Sequence, residues 1–129
     1  MKLWKEISKI NDDFNIFLEN TREEPEKIAE FIDKINDERI KFCLDIEHMF
    51  VYSKSSLDKW IDVLANRLRY VHIHNSDGIK DQHLPLLKGK FDMKDVFIKV
   101  KSFDVCLEAF GDIKEIEEDV KRLIEWSKI

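Results

Sequence analysis

The chain has 129 residues, 43% of them apolar and 38% charged, with a net charge of −5, which describes one domain long enough to bury a core. An acidic balance without a lysine or arginine block gives no support to a general affinity for nucleic acid, and the absence of a long apolar run argues against a secretory leader or a membrane span. The two cysteines, Cys43 and Cys106, sit in apolar strand-like runs without a disulfide pattern, pointing to a reducing, cytoplasmic setting.

Leu3, Trp4, Ile7 and Ile10 are spaced for a helix that Asn11-Asp12-Asp13 ends. Phe14–Leu18 reads as a short buried strand finishing at Glu19-Asn20. Thr21-Arg22-Glu23-Glu24 fits a capping box ahead of Pro25, and Ile28, Phe31, Ile32 and Ile35 give the next helix one apolar face. Lys41–Leu44 is a second strand, ending at Asp45-Ile46-Glu47-His48. Ser55 or Ser56 caps a helix whose stripe is Leu57, Trp60, Ile61, Leu64 and Leu68. Tyr70-Val71-His72-Ile73-His74 alternates strictly, a third strand with Val71 and Ile73 on one face and both histidines on the other. Asn75-Ser76-Asp77-Gly78 breaks it into a loop carrying Asp81 and His83. Phe91–Lys101 contains a helix with Met93, Val96, Phe97 and Val100 inward, and Val105–Leu107 is a fourth strand ending at Glu108. Asp112 caps the last helix, with Ile113, Ile116, Val120, Leu123 and Ile124 as its buried stripe.

One helix followed by four strand–helix units requires parallel strands with right-handed crossovers. Each apolar strand ends in an acid or an imidazole: Glu19, Asp45, His72 and Glu108. Sites in parallel α/β folds form at the carboxyl ends of strands, so these four share one face. Three carboxylates with one imidazole suit a divalent Mn, Mg, Co or Zn ion better than copper or an iron–sulfur cluster. His48, Asp81 and His83 are further candidate ligands nearby. His74 reads equally as a substrate or supporting group and as a buried core histidine, and the two cysteines as small core fillers.

The segments Leu18-Glu19-Asn20, Leu44-Asp45-Ile46-Glu47-His48, Val71-His72-Ile73-His74, Asp81-Gln82-His83-Leu84-Pro85-Leu86 and Leu107-Glu108 together resemble the xylose-isomerase-like TIM barrels. That family includes sugar and sugar-phosphate isomerases and epimerases and the endonuclease IV-type apurinic-site enzymes. The resemblance covers nearly the whole chain but only the second half of the barrel, its last four βα units, so residues 1–129 are expected to be a single half-barrel domain. It implies that Glu19, Asp45, His72 and Glu108 are the principal metal ligands. It also matches His48, Asp81 and His83 to the further ligands of the multi-metal nuclease branch. The chain departs from the pattern at Glu47, at Asn75 and in Pro85–Gly89.

Two activities and one non-enzymatic role follow. The first is a metal-dependent isomerase or epimerase acting on a small sugar or sugar phosphate, with Glu19 and Glu108 as general base and acid. The second is a phosphodiesterase on abasic DNA, which the acidic charge disfavours. The third is a half-barrel that binds metal or metabolite without turnover. Four parallel units leave two open sheet edges, so the expected partner is a second copy closing a barrel, or a separately encoded first half.

Overall fold

In the computed structural model, residues 2–7, 9 and 14–129 are described. The elements run α1 (Lys2–Ile7), β1 (Ile16–Glu19), α2 (Pro25–Ile35), β2 (Ile40–Asp45), α3 (Ile46–Tyr52), α4 (Leu57–Leu64), β3 (Leu68–Ile73), α5 (Met93–Val100), β4 (Asp104–Leu107) and α6 (Ile113–Ser127). The four strands form one sheet in the order β1-β2-β3-β4, every pair parallel. Ile10 and the Asn11–Asp13 stop lie outside the described residues, as do the side chains of Leu3 and Trp4.

Alternation divides the sheet into two faces. Phe42, Leu44, Val71 and Ile73 point outward, joined by Leu68 across an irregularity at Arg69 that shifts the β2–β3 register, into a core completed by Ile28, Ile32, Trp60, Leu64, Met93, Val96, Phe97 and Val100 from the helices. Phe42 stacks on Trp60 with ring centroids 6.0 Å apart. The other face is polar at its carboxyl end. Register sets Glu19 beside Cys43, Asp45 beside His72, and His72 beside Cys106.

Several local expectations are corrected. Thr21 does not cap α2: its amide and hydroxyl bond Glu23 within a turn, and the helix starts at Pro25, whose missing N–H needs no cap. Glu24 instead accepts from Ser53 Oγ, Lys54 N and Ser55 Oγ, tying the start of α2 to the α3–α4 loop. Ser56 caps α4, which stops at Leu64, so Leu68 belongs to β3. Helix α3 is an addition to the expected elements; it begins immediately after β2, with Asp45 as its cap. In α6 the stripe is rotated: Asp119 is buried, Leu123 and Trp126 pack on the core, and Ile113, Val120 and Ile124 face outward, 80%, 44% and 54% exposed. Asp119 fixes that rotation by accepting from the Leu86 amide (2.8 Å) and from Arg122 (3.0 Å). Phe31 likewise stands at the edge of α2, 46% exposed.

Candidate metal centre

Glu19 and Asp45 close β1 and β2, His72 lies one residue before the end of β3, and Glu108 follows β4 directly. Parallel pairing therefore carries all four to one rim. His72 Nδ1 lies 3.2 Å from Glu108 Oε2 and 3.7 Å from Glu19 Oε1, with no hydrogen bond of good geometry to either. Asp45 stands a step deeper, fully buried. Its Oδ1 accepts the His48 amide at 2.8 Å and its Oδ2 faces His74 Nε2 at 3.2 Å. The four do not form one tight cluster. They link through overlapping triads whose ligand atoms lie within 4.8 Å of one another: Glu19/Asp45/His48, Asp45/His74/Glu108 and His72/Cys106/Glu108.

Asp81 is the centre of a second grouping. Its Oδ2 lies 3.1 Å from His48 Nε2 and 3.3 Å from His83 Nε2, and its Oδ1 3.9 Å from His74 Nδ1. The far nitrogens decide the tautomers. His48 Nδ1 is 2.7 Å from the Asn20 carbonyl and His83 Nδ1 3.0 Å from the Glu108 carbonyl. A carbonyl only accepts, so both Nδ1 atoms carry the proton. In the neutral rings, the Nε2 lone pairs then face a carboxylate, an arrangement that calls for a cation or an added proton between them. His74 Nδ1 and Asp81 Oδ1 are buried and have no hydrogen-bond partner. This donor chemistry fits a divalent ion at both groupings.

The charges agree with the geometry. Burial, followed by the neighbouring Asp45, raises the pKa of Glu19. Burial opposes ionisation of Asp45 too, but hydrogen bonds from His74 and the His48 amide outweigh it and keep its pKa low. Burial works against a charged His48, yet Asp45, the Asn20 carbonyl and Asp81 win and raise its pKa. Burial, then Glu19, pushes the Cys43 thiol up to about 12, so it stays neutral.

Sequence reasoning passed over the groups that hold this constellation. Asn20, 1% exposed, clasps the Asp45 backbone with both ends of its amide, at 2.9 and 2.8 Å. Asn75 ties down the long β3–α5 loop: its Nδ2 donates to the Leu86 and Phe91 carbonyls, and its Oδ1 accepts from the Ser76 and Phe91 amides. Gly89 runs so close that a Cβ there would meet Asn75 Oδ1 at 2.1 Å. His83 holds φ at 52°, a conformation histidine adopts more readily than most residues. Its ring is sandwiched between His74 (centroids 4.0 Å) and Phe110 (4.8 Å). A single asparagine that clasps distant backbone leaves no pattern of spacing in one sequence.

A parallel α/β half-barrel with carboxylates and imidazoles gathered at the carboxyl rim defines the class. Residues 1–129 match the family model described as a xylose isomerase-like TIM barrel, and the chain belongs to that family. Its fold is shared by a D-tagatose 3-epimerase-like protein, 22% identical, TM-score 0.72, over 88% of this chain and 47% of that one. It is shared by the TTHB071 protein of Thermus thermophilus, soaked with zinc chloride, at 19% identity and TM-score 0.71 over 87% and 44%. It is also shared by the D-psicose 3-epimerase of Clostridium cellulolyticum with D-tagatose, at 15% identity and TM-score 0.64 over 98% and 52%. The chain thus spans about half the length of these structures. A comparison with curated protein sequences returned no match. Among the described residues no helix is long and apolar enough to cross a membrane.

Proposed function

We propose that this chain supplies the metal- and substrate-binding rim of a sugar isomerase or epimerase, moving a proton at a carbon next to a carbonyl. The observation that carries this reading is the pair Glu19 and Glu108, arriving from the two outer strands and flanking one imidazole nitrogen. Glu19, Asp45, His72 and Glu108 would hold a divalent ion, which when bound would polarise the carbonyl and acidify the adjacent C–H. Glu19, whose pKa burial raises, is suited to exchange a proton with substrate; Glu108 acts from the opposite side. His48 and Asn20 keep Asp45 oriented. The family match and the epimerase-like neighbours support this reading.

The test is incubation with keto-sugars in deuterated water, with and without manganese or zinc. Metal-dependent deuterium uptake beside the carbonyl, lost in Glu108→Gln, is expected. No uptake with any of these ions would sink the proposal. The grouping of His48, His74 and His83 around Asp81 favours a second reading, hydrolysis of a phosphodiester by a multi-metal site. Metal-dependent nicking of abasic duplex DNA, lost in Asp81→Asn, would decide for it.

A further inference from the structure

We infer that two copies of this chain close into one barrel about a two-fold axis, each β1 pairing with β4 of the other copy. Among the described residues β1 pairs only with β2 and β4 only with β3, so each outer strand there keeps one row of backbone donors and acceptors without a strand partner. Parallel βα barrels close with eight strands, and four strands per copy make eight. Because the first strand of one copy meets the last strand of the other, both contacts are identical and no edge remains.

The side chains at the two edges match. At β1 the surface is a cavity of about 380 Å³ lined by Leu18, Ile28 and Phe31 together with Glu19, Glu23 and Lys27. On α6, the helix that follows β4, it is a cavity of about 430 Å³ lined by Ile113, Ile116 and Val120 together with Glu117 and Lys121. Each joins an apolar centre to a single lysine and at least one acid, so Lys121 of one copy can meet an acid of the β1 surface and Lys27 can meet Glu117 across the contact. The inner face supports the same partner. Phe17, 45% exposed, has its ring centroid 5.6 Å from that of Tyr70 on this face. Closure covers both rings. It also brings Glu108 of the second copy beside Glu19, so each rim is completed by the other copy. A first-half partner of different sequence is the competing occupant.

The experiment is solution mass of the 129-residue chain, independent of any activity. At micromolar concentration a mass twice 15.5 kDa is expected. Val120→Asp, on the β4 edge, and Phe31→Lys, on the β1 edge, should each give a folded monomer by circular dichroism. Mixing the two should restore the double mass, because the hybrid keeps one native contact and pairs the new charges across the other. Should either substitution unfold the chain, Ile113→Glu replaces Val120→Asp and Glu23→Lys replaces Phe31→Lys, which keeps opposite new charges on the two edges. A monomeric wild type, a ladder of larger species, or folded variants that keep the double mass would each overturn the inference.

Discussion

Glu47 is fully buried, bonded through Oε2 to the Ser76 hydroxyl, with Oε1 lacking any hydrogen-bond partner. Burial pushes its carboxyl from an ordinary 4.5 up to about 7. The folded chain therefore holds this proton up to about pH 7, while the unfolded chain releases it above 4.5. Stability falls as pH rises through that window, and the loss persists above it. Glu47→Gln keeps the contact with Ser76 and cannot ionise. In chelator, its urea-unfolding free energy should match wild type near pH 4 and exceed it at pH 8, by on the order of 3 kcal/mol at most. Parallel curves across that range would mean Glu47 is ionised in the fold.

Among the elements, the β3–α5 loop needs the most support, because it carries Asp81 and His83 with little regular structure. Asn75 replaces that missing structure with four bonds to the backbone. Gly89→Ala drives a methyl into Asn75 Oδ1, and the Ser76 amide lies only 2.6 Å away. The loop must yield, leaving buried amides unpaired at about 1–3 kcal/mol each. We expect a cooperative loss of stability in thermal melts and faster amide exchange at Leu84 and Phe91. Unchanged exchange there would show that the loop is held elsewhere. Helix α6 offers a smaller case. Its Asp112–Glu115 capping box is complete, and Asp112→Ala should cost about 1 kcal/mol, seen as a lower urea midpoint.

For the whole molecule, one rim collects Glu19, Asp45, Asp81 and Glu108. Neighbouring carboxylates repel, and the raised pKa of Glu19, driven by burial and then by Asp45, records that cost. A divalent ion binding the folded rim would relieve it and shift the folding equilibrium; at ~100 times its Kd it would add about 2.7 kcal/mol. Chelation should lower the thermal midpoint and manganese or zinc should restore it. Asp45→Ala and His72→Ala should each lose most of that response; variants that respond like wild type would remove these residues from the ligand set.

What the sequence determined by itself was the architecture and which residues the strand ends bring to the rim. Strand–helix alternation dictates parallel pairing, and parallel pairing carries strand-end residues to one side, so Glu19, Asp45, His72 and Glu108 were legible without coordinates. Turn and cap chemistry was half legible. Asp112 and Ser56 cap as their neighbours predict, but Thr21 does not, because Glu24 found three donors in a loop 29 to 31 residues away. Only the tertiary structure decided which side of α6 is inward, since a buried Asp119 held by the Leu86 amide sets the rotation and leaves Ile113, Val120 and Ile124 exposed. Only the tertiary structure, too, gathered His48, His74 and His83 around Asp81. Local pattern specifies which way a side chain leaves its own strand or helix; which nitrogen keeps its proton depends on carbonyls at Asn20 and Glu108, brought there by the folding of distant segments.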